Sequence, residues 1–254
     1  TPYLPVQQPS EILTIANHIL GTGQLSLAKF LFITAETGND GDAYPRLSTQ
    51  HIEQYLQYFL ERFDLKRDIH FQTNTSIDTL DYSGTGLNTG SKVVFAAFGP
   101  KLRELSASIP AAVNELHGFE NAGLVMPGVV ALQTKPFTNY PSAAEEMQQL
   151  NEQLISKQED LKNLPFIVIG DDASVIAERL NNFLWVTFTR CNPSHDIYGI
   201  GSFTQNKHWG CTGPLIFDAR IKPHHAPVLE KDPVIEKQIQ RLFDKGGSLY
   251  NVIK

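Results

Sequence analysis

Short runs of consecutive apolar residues alternate along the chain with stretches whose apolar positions recur every three to four residues. The runs Phe30–Thr34 and Phe166–Gly170 have the length and composition of strands that are buried on both faces, as strands of a parallel sheet are. Each run is followed by a stretch of helical periodicity and then by a further apolar run, at 93–98 in the first case and at 215–217 in the second. Strands that alternate with helices in this way predict an α/β fold.

The same order of elements occurs twice, and charged residues recur with it. Arg62 and Asp68, before the second strand of the first copy, have the same spacing as Arg190 and Asp196 in the second copy. A structural tie across the turn explains this recurrence better than catalysis does, because two copies rarely keep one active site each. The connecting segments differ in length while the apolar runs remain, as expected when insertions and deletions collect in surface loops. The sequence therefore predicts two tandem copies of a related α/β unit, with sheets flanked by helices.

Changes in composition suggest where these copies begin and end. The first copy is assigned to residues 1–105 and the second to residues 128–230, with a connector at 106–127. A C-terminal helix and tail follow at 231–254, where an Asp-Pro start, an apolar stripe and a final glycine pair predict an amphipathic helix.

The two copies differ at their start. A strand at 129–132 precedes the first helix of the second copy, whereas only a few residues precede the equivalent helix of the first copy. The leading strand of the first copy is therefore expected either upstream of this sequence or within residues 3–6.

Composition and charge exclude several classes of protein. A net charge of −6 and a pI near 5.7 argue against a nucleic-acid-binding protein, which requires a basic face. No apolar run approaches the roughly 18–20 residues of a membrane span, and no secretory signal opens the sequence. Cys191 and Cys211 permit at most one disulfide, so we expect a cytoplasmic protein without transmembrane segments.

Three motifs suggest ligand chemistry, and each has a simpler structural interpretation. The Gly-Thr-Gly motif at 21–23 precedes a strand, whereas a dinucleotide fingerprint requires strand, glycine turn and helix in that order. Asp171 and Asp172 follow a strand as Mg²⁺ ligands often do, but capping of the next helix is the better interpretation. The histidine pair at 224–225 and the two cysteines lack the spacing of a zinc site, so the sequence predicts no metal ligands.

Six segments of the chain form a recognisable series. They are Asn-His-Ile-Leu-Gly-Thr-Gly-Gln-Leu-Ser-Leu-Ala-Lys (17–29), Leu-Lys-Arg-Asp-Ile (65–69), Ile-Asp-Thr-Leu-Asp-Tyr-Ser (77–83), Gly-Ser-Lys (90–92), Thr-Arg-Cys-Asn-Pro-Ser-His-Asp (189–196) and Phe-Asp-Ala-Arg-Ile-Lys-Pro (217–223). In this order they resemble the C-terminal portion of the UbiD family of prenylated-FMN-dependent decarboxylases, the 3-octaprenyl-4-hydroxybenzoate carboxy-lyase type. The resemblance covers most of the chain.

The resemblance implies part of an enzyme that removes CO₂ from an aromatic or unsaturated acid of the 4-hydroxybenzoate type, in ubiquinone or menaquinone biosynthesis. In this family, prenylated FMN, a divalent metal and the catalytic carboxylates belong to an N-terminal region, for which this sequence has no match. The chain is therefore expected to be inactive alone, with no catalytic residue and no tightly bound cofactor. The expected partners are that missing N-terminal region and further copies of the chain, packed through the terminal helix.

The resemblance also assigns roles to individual residues. It implies that Lys29 approaches the flavin phosphate, and that Ile77, Leu80 and Tyr82 contribute apolar walls to the substrate pocket. Only the first copy keeps the Gly-Ser-Lys motif, since the second has Cys-Thr-Gly-Pro at 211–214. The alternative interpretation is a non-catalytic module that binds a small molecule or acts as a scaffold.

Overall fold

The structure is a computed structural model, and it describes residues 9–35, 47–48, 50–226, 232–250 and 252. The strand considered at 3–6 lies outside the described residues, as does a turn expected from the glycine and aspartate residues at 38–42. Within the described ranges the chain has the α/β fold that the alternating pattern predicts, with sheets flanked by helices.

The first part of the chain is built on one sheet. Its elements are α1 (Pro9–Leu20), β1 (Phe30–Thr34), α2 (Ile52–Arg62), β2 (Ile69–Thr75) and β3 (Gly90–Ala97). A short 3-10 helix, Gly23–Leu27, connects α1 to β1. Ile12, Ala16 and Leu20 recur every four residues along α1, and all three are buried against the sheet.

The second part of the chain has a larger sheet and a small hairpin. Its elements are α3 (Ala111–Asn114), β4 (Glu120–Met126), β5 (Val129–Gln133), α4 (Tyr140–Leu154), α5 (Gln158–Leu161), β6 (Phe166–Gly170), α6 (Ala173–Glu178), α7 (Leu180–Arg190), α8 (Pro193–Asp196), β7 (Ile197–Gly199), β8 (Ser202–Gln205), β9 (His208–Cys211) and β10 (Leu215–Asp218). A final helix, α9 (Pro233–Phe243), follows.

The two main sheets repeat one connectivity. The first has the strand order β1-β3-β2, in which β3 is parallel to β1 and antiparallel to β2. The second has the order β4-β5-β6-β10-β7, in which β10 is parallel to β6 and antiparallel to β7. Phe30 lies opposite Val93, and Phe166 lies opposite Leu215, so positions in the two sheets can be matched. We call the elements from α1 to β3 the first unit and those from β4 to β10 the second unit.

A single core joins the two units. The ring of Phe95 in the first sheet lies 6.2 Å from that of Phe217 in the second, and Phe32 lies 6.5 Å from Phe166. β6 is buried at every position because β5 and β10 pair with its two edges, whereas every residue of β1 is only partly buried. The units are therefore one packed body and differ in how completely each sheet is covered.

The segment 106–127, which the sequence assigned as a connector, contains α3 and β4. β4 pairs antiparallel with β5 and forms the edge of the second sheet. Its sequence, Glu-Asn-Ala-Gly-Leu-Val-Met, lacks the continuous apolar run of a central strand, so periodicity does not reveal it. The second unit consequently begins by Glu120.

Two further details of the second unit depart from expectation. The continuous helix expected after Asp172 is divided into α6 and α7 at Arg179, which has extended backbone with φ −149° and ψ 146°. The β8–β9 hairpin between β7 and β10 was not anticipated, because both strands have only four residues and β8 is mostly exposed. Asp172 is the helix cap that the sequence suggested, since its carboxylate accepts hydrogen bonds from the N–H groups of Ser174 and Val175.

The C-terminal amphipathic helix is present as α9. Asp232 caps it by accepting hydrogen bonds from Val234 N–H at 2.8 Å and from Ile235 N–H at 3.4 Å. Its apolar stripe is exposed and consists of Val234, Ile235, Ile239, Leu242 and Phe243. No helix in the described ranges is long and apolar enough to cross a membrane.

Candidate functional site

Lys29 lies between the 3-10 helix and β1, where only 8 % of the residue is exposed. Its Nζ lies 2.8 Å from Asp81 Oδ2 and donates to Ser83 Oγ at 2.6 Å and to the Thr189 carbonyl at 3.3 Å. Burial raises the pKa of Asp81, but the charge and hydrogen bond of Lys29, together with hydrogen bonds from Ser83, outweigh it and hold that pKa below its ordinary value. The ammonium group has three hydrogens, and these three acceptors use them all.

The phosphate contact that the resemblance implies for Lys29 would compete with these three acceptors. A phosphate oxygen bound to Lys29 would need one of the hydrogens that Asp81, Ser83 and Thr189 receive. The role of Lys29 in cofactor binding stays a prediction, and the contacts observed are those of an internal ion pair.

The loop between β2 and β3 carries the residues predicted to line a substrate pocket. Ile77 is 2 % exposed, whereas Leu80 is 77 % and Tyr82 is 59 % exposed. A Cβ atom would lie 2.6 Å from Ile77 Cδ1 at Gly84 and 2.8 Å from it at Gly90, so both glycines leave room for this side chain. Ile77 therefore supports the loop from inside, while Leu80 and Tyr82 are available to another surface.

The Gly-Ser-Lys motif at the start of β3 connects the two units. Ser91 is fully buried, accepts a hydrogen bond from Ser194 N–H at 2.8 Å and donates its hydroxyl to the side-chain carbonyl of Asn192. Lys92 donates to the carbonyl of Ser26 in the 3-10 helix, and burial lowers the pKa of Lys92. In this structure the motif holds the 3-10 helix and α8 against the first sheet.

A buried cluster of charged residues lies at the carboxyl end of β10, the edge of a parallel sheet at which ligands commonly bind. Arg220 is fully buried, and its guanidinium makes two hydrogen bonds to the Asp218 carboxylate, at 2.8 Å and 2.6 Å. A third hydrogen bond, of 2.5 Å, runs from Arg220 to Glu146 of α4. We call Glu146, Asp196, Asp218, Arg220 and Lys222 the ionic cluster.

Lys222 completes the ionic cluster. Its Nζ lies 3.2 Å from Asp196 Oδ1 and donates to the Asp218 carbonyl at 2.7 Å. Each buried charge of the cluster therefore contacts at least one opposite charge, which is the condition under which buried ions are tolerated. The third carboxylate is balanced from outside the cluster, since Lys135 Nζ lies 3.1 Å from Glu146, so the cluster supports the sheet edge with every carboxylate paired.

Aromatic and imidazole rings surround the ionic cluster. The ring of Tyr140 lies 5.4 Å from that of His195 and 6.5 Å from that of His224, which in turn lies 4.9 Å from His225. Burial and the nearby Lys222 charge lower the pKa of His225 to about 4, and burial also lowers the pKa of His195. In the described residues, no group of three or more histidine, cysteine or acidic side chains is arranged to hold a metal ion.

The repeated Arg…Asp spacing is structural, but it does not act as a direct ion pair in the second unit. Asp196 accepts a hydrogen bond from Asn192 N–H at 2.6 Å, and Arg190 instead lies 3.1 Å from Asp171. Asp68 repeats the first of these contacts, because it accepts from the backbone N–H four residues earlier at 2.9 Å. Both aspartates thus cap the turn before an antiparallel edge strand, which is β2 in the first unit and β7 in the second.

The two cysteines are buried thiols. Burial raises the pKa of Cys211 to about 12 and raises that of Cys191 further, so both remain protonated and unreactive near neutral pH. Cys191 donates to the Asp218 carbonyl at 3.4 Å, beside the ionic cluster.

Sequence reasoning missed the partners of Lys29 and, apart from Asp196, the members of the ionic cluster. Asp81 and Ser83 belong to a motif that carried the resemblance, but neither was given a role. The available signal was chemical: a lysine directly before an apolar strand is buried and needs an opposite charge. No spacing rule identifies which of the many acidic residues supplies it.

The chain is similar in sequence to a known protein family and to several bacterial proteins. Residues 4–97 match the model of the 3-octaprenyl-4-hydroxybenzoate carboxy-lyase C-terminal domain, UbiD_C. An uncharacterized protein of Chlamydia caviae is 33 % identical over 235 residues, which are 92 % of this chain and 37 % of that protein. A Chlamydia pneumoniae protein named as a subunit of 4-hydroxybenzoate decarboxylase is 30 % identical over 232 residues, which are 90 % of this chain and 35 % of that protein.

The chain thus spans little more than a third of the length of these relatives. Among solved structures, the open form of Sedimentibacter hydroxybenzoicus vanillic acid decarboxylase matches 67 % of this chain and 43 % of its own, with 14 % identity and a TM-score of 0.33. A TM-score this low supports no statement about fold or function.

Proposed function

We propose that the chain is part of a decarboxylase for aromatic or unsaturated acids in the UbiD family of carboxy-lyases, whose C-terminal domain its residues 4–97 match. The Chlamydia pneumoniae relative, named for 4-hydroxybenzoate decarboxylase, supports a substrate of the 4-hydroxybenzoate type. The known relatives are much longer, so the proposal concerns a larger protein in which this chain is the C-terminal part. A role in ubiquinone or menaquinone biosynthesis would follow from that substrate.

The observation that carries the proposal is the loop between β2 and β3. Leu80, Tyr82 and Leu87 are 77 %, 59 % and 80 % exposed, although each is a large apolar or aromatic side chain. Buried contacts fix the base of the loop, since Lys29 bonds to Asp81 and Ser83. An exposed apolar surface on a fixed base is typical of a surface that another part of a protein covers. Leu80 and Tyr82 would line the substrate pocket once the N-terminal region covers them.

Prenylated FMN is proposed for that N-terminal region, together with its divalent metal. When bound, it would supply the electron sink for loss of CO₂. The engagement of all three hydrogens of Lys29 favours a chain that does not bind the cofactor tightly alone. The part assigned to this chain is to exclude water and to orient the apolar part of the substrate.

A homo-oligomer is proposed through α9. The five residues of its apolar stripe are all exposed, and the helix has no buried residue in the part of the chain that the structure describes. A helix with one apolar face reaches a stable state by burying that face, and a second copy of the chain would provide the surface.

The decarboxylation test compares the chain alone with the full-length protein, each supplied with prenylated FMN and 4-hydroxybenzoate while CO₂ release is measured. We expect activity only in the full-length protein. Leu80→Ala and Tyr82→Ala should together lower its kcat/KM by about tenfold or more, because two apolar contacts with the substrate are lost. Trp185→Ala is the matched control, since Trp185 is 71 % exposed and lies outside the loop.

Stoichiometric uptake of prenylated FMN by the chain alone would contradict the proposal that the N-terminal region binds the cofactor. Unchanged kcat/KM in the Leu80 and Tyr82 variants would contradict the pocket role of the loop. Sedimentation of the chain at high concentration tests the oligomer separately, and a strict monomer would exclude it.

A further inference from the structure

A cleft of about 510 Å³ lies between β2 of the first unit and the β8–β9 hairpin of the second. Its lining includes His70, Phe71, Ile197, Lys207, His208 and Trp209. Acidic residues outnumber basic ones in the chain by 27 to 21, yet the described residues that line this cleft include no aspartate or glutamate. The cleft is therefore a local exception in an acidic protein.

Hydrogen-bond donors in the cleft lack acceptors. Within the described ranges, Lys207 has no ion-pair partner, and neither the indole N–H of Trp209 nor the ring of His70 has a hydrogen-bond partner. His208 differs, since its Nε2 lies 3.1 Å from the carbonyl of Lys66, which fixes the ring. A cleft with a cation and free donors but without carboxylates favours an anionic ligand.

Aromatic and imidazole rings form part of the walls of the cleft. Phe71 and Trp209 meet edge to face with ring centroids 5.4 Å apart, and the rings of His70 and His208 are also 5.4 Å apart. Ile197 adds an aliphatic wall from β7. Flat aromatic walls favour a ligand that is itself planar and aromatic, because rings pack well against rings.

The backbone at Lys207 is a separate observation that points to function. Asn206 and Lys207 form the two-residue turn of the β8–β9 hairpin and have φ values of 51° and 67°. Glycine is the favoured residue at the second position of such a turn, because a side chain in the left-handed region is strained. Strained positions concentrate at functional sites, and here the strain keeps a lysine at the mouth of an acid-free cleft.

We propose that this cleft is a binding site for a planar aromatic monoanion. The ring of the ligand would lie against Phe71 and Trp209, and its anionic group would receive hydrogen bonds from Lys207 and the Trp209 indole. The proposal does not rest on the decarboxylase function, because the cleft contains none of the residues assigned to the substrate pocket.

The test uses naphthalene-2-sulfonate as the probe, since a sulfonate cannot be decarboxylated and so separates binding here from carboxy-lyase chemistry. Naphthalene-2-sulfonamide is the neutral probe of matched shape, and methanesulfonate is the anion without a ring. The chain has two tryptophans, so the indole N–H resonance of Trp209 can be followed by NMR beside that of the exposed Trp185, assigned with Trp185→Phe. We expect a saturable shift of the Trp209 resonance with the aromatic sulfonate and none at Trp185.

Lys207→Gly is the decisive variant. It removes the charge and at the same time relieves the backbone strain, so the melting temperature should stay equal or rise while affinity for the sulfonate falls by about tenfold or more. Lys162→Ala is the control, because Lys162 is an exposed lysine that does not line the cleft. Equal affinity for the sulfonamide, undiminished affinity in Lys207→Gly, or no saturable shift at millimolar probe would each overturn the proposal.

Discussion

Three strands have the same order in both units, β1-β3-β2 in the first and β6-β10-β7 in the second. At the carboxyl end of the middle strand, however, the first unit has apolar residues and the second has charged ones. The register matches Ala96 and Phe98 of the first unit with Asp218 and Arg220 of the second. In the first unit this edge packs against the apolar face of α1, which includes Ile12. The second unit instead places a buried guanidinium there, which is shared between Asp218 and α4.

The difference shows that the fold needs the space at that edge to be filled but does not fix whether apolar or charged residues fill it. Apolar packing and a buried ion pair both fill the space between the sheet and the preceding helix, and either is stable if nothing inside it is left unpaired. The turn before the second strand is handled alike in both units, by Asp68 in one and by Asp196 in the other. The turn cap is therefore common to the units, whereas the charge at the edge distinguishes them.

Arg220→Ala tests the difference between the two edges and should have the largest effect on stability. Removal of the guanidinium leaves the carboxylates of Asp218 and Glu146 buried with less compensation, and should lower the free energy of unfolding by about 3–5 kcal/mol. Urea unfolding followed by circular dichroism measures the loss.

The matched variant transplants the residues of the first unit by combining Asp218→Ala with Arg220→Phe. It should cost less than Arg220→Ala alone, because Glu146 keeps its ion pair with Lys135 at 3.1 Å while the Asp218 charge is gone. A double variant that is less stable than the single one would show that the two edges are not interchangeable.

The shared turn cap provides a second contrast. Asp196→Ala leaves the fully buried Lys222 without its carboxylate and should cost about 3 kcal/mol, as removal of one partner from a buried pair does. Asp68→Ala should cost only about 1 kcal/mol, because its partner Arg67 is 43 % exposed and can be solvated. Equal losses in the two variants, measured by urea unfolding, would mean that the environment of the cation does not matter.

The register also matches His70 of the first unit with Tyr198 of the second, which predicts a difference in pH dependence. Burial and the neighbouring His208 lower the pKa of His70 to about 4, whereas an unfolded histidine has a pKa of about 6.5. A histidine with a depressed pKa stabilises the fold above pH about 6.5, and this contribution is lost as the pH falls toward about 4. For a partly exposed ring the loss should be about 1–2 kcal/mol.

His70→Tyr introduces the residue of the second unit and should remove that part of the pH dependence. Unfolding free energies between pH 4 and 7 test this, with His225 still contributing a slope of the same sign because its pKa is also lowered. An unchanged slope in His70→Tyr would contradict the assignment.

The smallest effect is expected outside both units. Ile235→Ser with Ile239→Ser should change the unfolding free energy of the isolated chain by less than about 0.5 kcal/mol, because both residues are about half exposed on α9. A large loss of stability at low protein concentration would show that α9 packs on its own chain.

Much of the fold follows from the sequence, and the residues show why. β1 and β6 are apolar runs, and Asp172 stands directly before its helix, so local pattern is sufficient to predict them. β4 and the β8–β9 hairpin escaped prediction because edge strands with polar positions lack a strong period. The loop residues Ile77, Leu80 and Tyr82 were grouped by the resemblance, yet the fold buries one and exposes two.

The sequence by itself determined the alternation of strands and helices and the resemblance to the UbiD C-terminal domain, because both are encoded in local periodicity and motif order. Only the tertiary structure decided which charges meet: Lys29 reaches Asp81 across 52 residues, and Arg220 reaches Glu146 across 74. The physical reason is that an ion pair is set by distance in space and by burial, and neither is written in the spacing of residues along the chain.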